Sequence, residues 1–256
     1  MPDAQSFQLG FLILARITAF MVVAPFFSIR YASNVVKVGL AGLITILLLP
    51  LVQNMQTTVS YELVLYLFYI IKEVVIGLIL GYVSSLTFTA IRVAGQIIDI
   101  QMGFAMASVL DPQSQSQITL VGQFLYTLAI MIFLSLDGHH SLLMAIFHSY
   151  EIIPIGEIIL SKNVPAAILS IFVGMFAISF KIAAPIMTVL LIADIALALL
   201  ARTVPQLNVF ILGFPIKAGL GVISLMLMLP ITVVIIGNIL SQMEKDLILV
   251  MEQLMR

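Results

Sequence analysis

Two very long apolar runs, 165–200 with Lys181 and Asp194 inside it and 209–240 with Lys217, fill most of the C-terminal third of the sequence. Each is about 1.5 times the roughly 20 residues that carry an α-helix across 30 Å of hydrocarbon. Inside lipid no water is available to unpaired backbone groups, so only helices and closed barrels can cross it. Strand-length alternation of apolar and polar residues is missing, which leaves helices. The fold class expected is all-α: a polytopic membrane protein of long kinked helical hairpins with about six apolar segments. Composition agrees, with 62% hydrophobic and 9% charged residues in 256, where soluble domains carry about 25% charged. The mean hydropathy is +1.22.

The other segments are 9–29, broken by Arg16 and Pro25; 35–49, opened by Lys37 and stopped at Pro50; 62–91; and 120–136. The third reads either as one tilted span or as a short approach helix before Lys72-Glu73 with a span over 74–90. Residues 141–160 carry His148, Glu151, Pro154, Gly156 and Glu157 and read as an interfacial or re-entrant excursion. Pro185 in one long run, and Gly213-Phe214-Pro215 with Gly219 and Gly221 in the other, suggest kinks. The tail 241–256 has apolar residues at Met243, Leu247, Val250, Met251 and Leu254, the spacing of an amphipathic helix. Gly77 and Gly81 form a small-xxx-small pattern that lets a second helix approach. The first helix should be retained, because no basic region precedes it. Lys/Arg bias puts the N-terminus and C-terminus outside and the central and Arg202 loops inside. The runs 37–50 and 217–230 match at Lys, Gly, Leu and Pro, as chance or as a true repeat.

The chemistry that this composition excludes is broad. Without cysteine there is no disulfide, thiolate catalysis or Cys-ligated metal. Asp137, His139, His140 and His148 lack any metal-ligand spacing such as HExxH. Asp99 and Asp194 are the one acidic pair to weigh for intramembrane proteolysis, and neither lies in a protease motif. No phosphate-binding or dinucleotide motif is present. A net charge of −1 gives no sign of nucleic acid. The chain is expected to be no enzyme, with no cofactor and no metal. What remains is the stretch 91–119, the longest part a bilayer would reject. In a helix, Arg92, Gln96 and Asp99 share one face, as a neutralised set inside the bundle or as the lining of a hydrated conduit. Met102 and Met106 flank Phe104, either as core packing or as a compliant seal.

The runs GQIIDIQMGFAMASVLDP (95–112), FLSLDGHHSLL (133–143) and ALLARTVPQLNVFILGFPIKAGLG (198–221) resemble, in order and spacing, the FliR family. KVGLAG (37–42) and KEVVIGLILG (72–81) extend the resemblance over nearly the whole chain. It implies a multi-pass protein of the bacterial inner membrane and flagellar basal body, a subunit of the flagellar type III export gate. Partners would be FliP and FliQ, with FlhA and FlhB nearby, membrane lipid around them and unfolded flagellar proteins as cargo. The resemblance divides one membrane domain into a FliP-like part, 1–160, and a FliQ-like hairpin, 161–256. It also implies a cone of tilted hairpins largely on the periplasmic side, so that six spans overstate the lipid-exposed ones. The central loop 101–117 would plug the channel through Gln101, Met102, Gly103, Phe104, Ala105, Met106 and Val109, turned back by Asp111-Pro112. Arg202, Pro205, Gln206, Gly213, Phe214, Pro215 and Lys217 would serve hairpin assembly. A virulence-secretion counterpart shares this architecture. A small-solute secondary transporter is the rival class, suggested by the buried charges and the internal echo.

Overall fold

A computed structural model describes residues 4–27, 33–55, 62–104, 119–157, 163–206 and 208–255, and among these every regular element is an α-helix. In chain order they are α1 (Ala4–Val23), α2 (Asn34–Met55), α3 (Leu63–Met102), α4 (Leu120–Ser135), α5 (Gly138–Ile152), α6 (Asn163–Thr203) and α7 (Val209–Met255). By length and composition α1, α2, α3, α6 and α7 can each cross a membrane. The sixth apolar segment is a bent pair, α4 and α5, with 71° between their axes. Asp137 makes that bend by taking the left-handed conformation (φ 52°), which Asp tolerates better than most residues. The expected span over 120–136 is therefore a 16-residue helix that needs α5 to reach span length.

Two boundaries differ from the sequence reading. Helix α2 does not stop at Pro50 but runs through it to Met55. Proline removes one i→i−4 hydrogen bond, and in a helix this apolar the remaining bonds still outweigh exposing the backbone to lipid. Helix α3 continues without a break for 40 residues, so Lys72-Glu73 lie within it and the polar face over 92–99 forms its last turns. Its end is set by Gly103 at φ +90°, where Gly103 N–H bonds Ile100 C=O (3.1 Å) and Phe104 N–H bonds Asp99 C=O (3.0 Å). That is the Schellman arrangement, which favours glycine at this position.

The helices form two compact units, Met1–Thr87 with Asp137–Phe172 and Leu240–Arg256, and Phe88–Leu136 with Val173–Ile239. Each draws on residues from both sides of position 160. In the first unit, Leu12, Ile13, Ile17 and Phe20 of α1, Ile76 and Leu80 of α3, and Leu142, Ile146 and Tyr150 of α5 are buried. So are Met243, Leu247, Val250, Met251 and Leu254, the apolar stripe expected of the tail. Helix α1 lies directly on the Gly77/Gly81 face of α3. A Cβ on Gly77 would run into the Arg16 carbonyl, and one on Gly81 would stand 2.9 Å from the Phe20 carbonyl. In the second unit Phe88 stacks edge-on with Tyr126 and Phe133, and Ser179 Oγ donates to the Ala90 carbonyl (2.8 Å).

A methyl group at either α3 glycine must push α1 away. Gly77→Ala and Gly81→Ala should each destabilise the purified protein by about 1–3 kcal/mol, the usual range for overpacking. Gly39→Ala, with nothing within 4 Å of its added Cβ, is the control. Thermal loss of helical circular dichroism in detergent measures all three.

Candidate functional site

Asp99 is placed at the foot of the central stretch, 3% exposed and three residues before the end of α3. Helix α4 begins at Leu120 after Thr119, which makes no side-chain cap. Two N–H groups of its first turn, those of Val121 and Gly122, are satisfied from α3 instead. Asp99 Oδ1 accepts from Val121 N–H (3.0 Å) and Oδ2 from Gly122 N–H (3.1 Å). A carboxylate at a helix N-terminus is favoured by the helix dipole as well as by the hydrogen bonds. The approach is close because glycine faces glycine: a Cβ on Gly95 would collide with the Gly122 backbone. Asp99 thus holds Phe104 N–H through its carbonyl and the start of α4 through its carboxylate.

The other two members of the polar face lie differently. Arg92 is exposed, with its guanidinium 4.2 Å from the Tyr126 ring centroid, and Gln96 is half-buried between them in sequence. Gln101 is half-buried and Met102 wholly buried at the end of α3. Met102 fills a notch at Gly221 of α7, where an added Cβ would lie 2.6 Å from its methyl carbon. Gly103 abuts Phe214, and Phe104 meets Phe214 edge-on at 6.2 Å. Ala105, Met106, Val109, Asp111 and Pro112 lie outside the described residues.

In the hairpin, Arg202 closes α6, Pro205 and Gln206 form an exposed turn, and Pro215 sits within α7. Gly213 is buried, 3.3 Å from Leu197 on a built Cβ. Lys217 Nζ pairs with Asp194 Oδ1 at 2.8 Å. The two stand equally far from the Pro205-Gln206 turn on opposite arms, so the antiparallel geometry that follows from the turn brings them together. Sequence reading named both charges without pairing them.

A second cluster, in the first unit, escaped the sequence altogether as a set. Arg16, 1% exposed, gives Nε to Glu73 Oε2 (2.6 Å), Nη1 to the Ser149 carbonyl (2.9 Å) and hydroxyl (3.1 Å), and Nη2 to the Ile153 carbonyl (3.1 Å). Its guanidinium also stacks 4.1 Å from the Tyr150 ring centroid. Glu73 Oε1 accepts from Gly156 N–H (3.1 Å), and Lys72 Nζ donates to Gly156 C=O (2.8 Å). Gly156 has φ +83° and packs against the Tyr69 ring, which leaves no room for a side chain. Every donor here has a partner, as a dry interior requires. The one signal in sequence was the cost of Arg16 and Glu73 in apolar helices. Histidine forms no comparable centre: His148 pairs with exposed Glu151 (2.6 Å), and among the described residues no three metal-binding side chains converge.

Comparison with known proteins gives the chain a family. Residues 7–243 match the family described as bacterial export proteins, family 1. The chain is 35% identical over 233 residues to the flagellar biosynthetic protein FliR of Bacillus subtilis, covering 90% of this chain and 89% of that one. This chain belongs to the FliR family. The Escherichia coli FliR is 32% identical over 85% of this chain and 83% of its own. A Yersinia pestis relative named Yop proteins translocation protein T is 33% identical over 94% and 90%. In this FliR-family chain the matched residues include both the Asp99 joint and the Arg16 cluster.

Leaving either charge of the Arg16–Glu73 pair alone in the interior should cost about 3–5 kcal/mol, whereas replacing both by apolar side chains should recover much of it. Arg16→Met, Glu73→Met and the double variant, compared by thermal unfolding in detergent, measure this. Asp99→Ala should cost about 0.5–2 kcal/mol, the range for a lost helix cap. Faster hydrogen exchange confined to the Val121 and Gly122 amides checks its cause.

Proposed function

We propose that this chain is a non-catalytic subunit of the flagellar type III protein export gate in the bacterial inner membrane. It joins FliP and FliQ in a channel for unfolded flagellar proteins, within a basal body that also holds FlhA and FlhB. The observation that carries this reading is the near full-length likeness to FliR proteins from distant bacteria. The Yersinia relative, equally similar, favours a virulence-secretion gate as the second reading. A role without catalysis agrees with the use to which the charges are put: Arg16, Glu73, Asp99, Asp194 and Lys217 are each bonded to backbone or to another charge.

The central loop 101–117 is the channel's seal in this reading. Support comes from its two roots, since Phe104 and the first turn of α4 are both bonded to Asp99, which lets a loop leave and return at one place. Met102 and Phe104 are the fixed end, packed on Gly221 and Phe214. Met106 and Val109 are the contacts that close the channel. The Arg202–Lys217 part of the hairpin serves assembly with the other subunits.

Deleting residues 105–109 leaves the Gly103 terminus and the Asp99 joint in place. Cells carrying the deletion should assemble the complex, as judged by co-purified FliP and FliQ, and leak ions. A tight membrane around an assembled complex would remove the seal from this loop, and failure of the intact chain to bring down FliP and FliQ would remove the subunit reading.

A further inference from the structure

Between α1 and α3 of the first unit runs a groove of about 520 Å³, within the range of about 300–1,000 Å³ in which proteins hold small ligands. Helix α1 lines it from Phe7 to Thr18, and Tyr66 and Ile70 of α3 form the other wall. Two of its hydroxyl groups are turned onto backbone. Thr18 Oγ1 donates to the Leu14 carbonyl of its own helix (2.7 Å), and Tyr66 Oη donates to the Gln8 carbonyl (3.0 Å). The surface left in the groove is almost all hydrocarbon, which gives water no hydrogen bonds to hold it.

Length and width set the occupant. From Phe7 to Thr18 the wall rises about 16 Å at 1.5 Å per residue. That is the depth of one leaflet, half of the roughly 30 Å hydrocarbon core. The groove also starts where the membrane-crossing stretch of α1 starts, at Ser6. Polar side chains gather at that end: Gln8 lines the groove, and Ser6 Oγ accepts from Gln53 Nε2 of α2 (3.3 Å). The groove thus runs inward from a polar mouth. Its width excludes a third helix, which with side chains is about 10–12 Å across. Helices α1 and α3 are tied by the Tyr66–Gln8 bond and, farther along, touch at Gly77. Phe7 and Phe11, 66% and 50% exposed with rings edge-on at 5.2 Å, stand where close approach of a helix calls for small residues.

We infer that this groove holds one acyl chain of a membrane phospholipid, its ester end at Gln8 and its methyl end at Thr18, and holds it longer than the lipid around the rest of the chain. The Gln8 side chain is half-buried and makes no hydrogen bond among the described residues, so its amide is free to donate to an ester carbonyl. The acyl chain supplies Phe7, Phe11 and Ile70 with the dispersion contacts that an open groove lacks.

The chain contains no tryptophan, so Phe11→Trp places a single fluorophore on the groove. Leu227→Trp, at a site 70% exposed on α7, places one in ordinary lipid contact. Each full-length variant is reconstituted into vesicles of phosphatidylcholine with brominated acyl chains, which quench tryptophan on contact, then extracted and washed in bromine-free detergent. Leu227→Trp should recover its fluorescence during the wash, and Phe11→Trp should stay quenched at least about ten-fold longer, as a slower off-rate requires. Filling the groove with Ala15→Phe, or from the other wall with Ile70→Phe, should return the Phe11→Trp signal to the control rate. Equal recovery of the two reporters overturns the inference, since the groove then exchanges lipid like any other surface. Quenching that persists in both filled variants overturns it too, because the lipid then sits elsewhere. A photo-crosslinker at position 11 that joins FliP or FliQ in cells, rather than lipid, makes the occupant protein and overturns the inference while leaving the subunit reading intact.

Discussion

The lack of water at depth governs this chain, and the Arg16 guanidinium shows how the demand is met. One side chain reaches a carboxylate on α3, two carbonyls and a hydroxyl at the end of α5, and an aromatic face. The Ile153 carbonyl lies just past the end of α5, the Ser149 carbonyl also accepts from Ile153 N–H (2.9 Å), and a cation at a helix C-terminus is favoured by the dipole. Glu73 and Lys72 then take the N–H and C=O of Gly156, so the turn after α5 is bonded on both sides to neighbouring residues of α3. Charges that are costly singly become, as a set, the means by which irregular backbone is carried among apolar helices.

Asp99 repeats the same solution with a single residue. Its carboxylate replaces the cap that Thr119 does not provide, and the Gly95/Gly122 contact brings the two helices near enough for it to reach. The two clusters differ in sign and size but share a logic: a helix end that cannot be hydrated is closed by a charge from a different helix.

Much of the fold was legible because its determinants are local. Apolar run lengths gave the helices, Gly77 and Gly81 the close approach of a second helix though not which one, and the spacing of Met243 to Leu254 the amphipathic tail. The family resemblance rested on three runs spread along the chain, 95–112, 133–143 and 198–221. Partner identity within the chain was less legible, in proportion to distance. Asp194 and Lys217 are related by one turn and could have been paired by counting from it, whereas Arg16 and Glu73, 57 residues apart, and Ser149, 133 residues from Arg16, meet only through tertiary packing. Pro50 misled, because a proline that ends helices in water is carried within one here, whereas the apolar run 120–136 ended where the chain does bend, at Asp137, through a left-handed backbone that no periodicity reveals.

The make-up of the first unit bears on the timing of synthesis. Its residues come from the beginning, the middle and the end of the chain, with the second unit's segments between them. On the ribosome the Arg16 cluster can close once α5 has emerged, but Met243, Leu247 and Val250 arrive only after both long helices have been made. For most of translation that part of the unit lacks the helix whose apolar stripe belongs to it. A nascent chain stalled within α7 would thus leave a patch for other membrane proteins or the insertion machinery to cover, and completion of the first unit waits for residues 240–256.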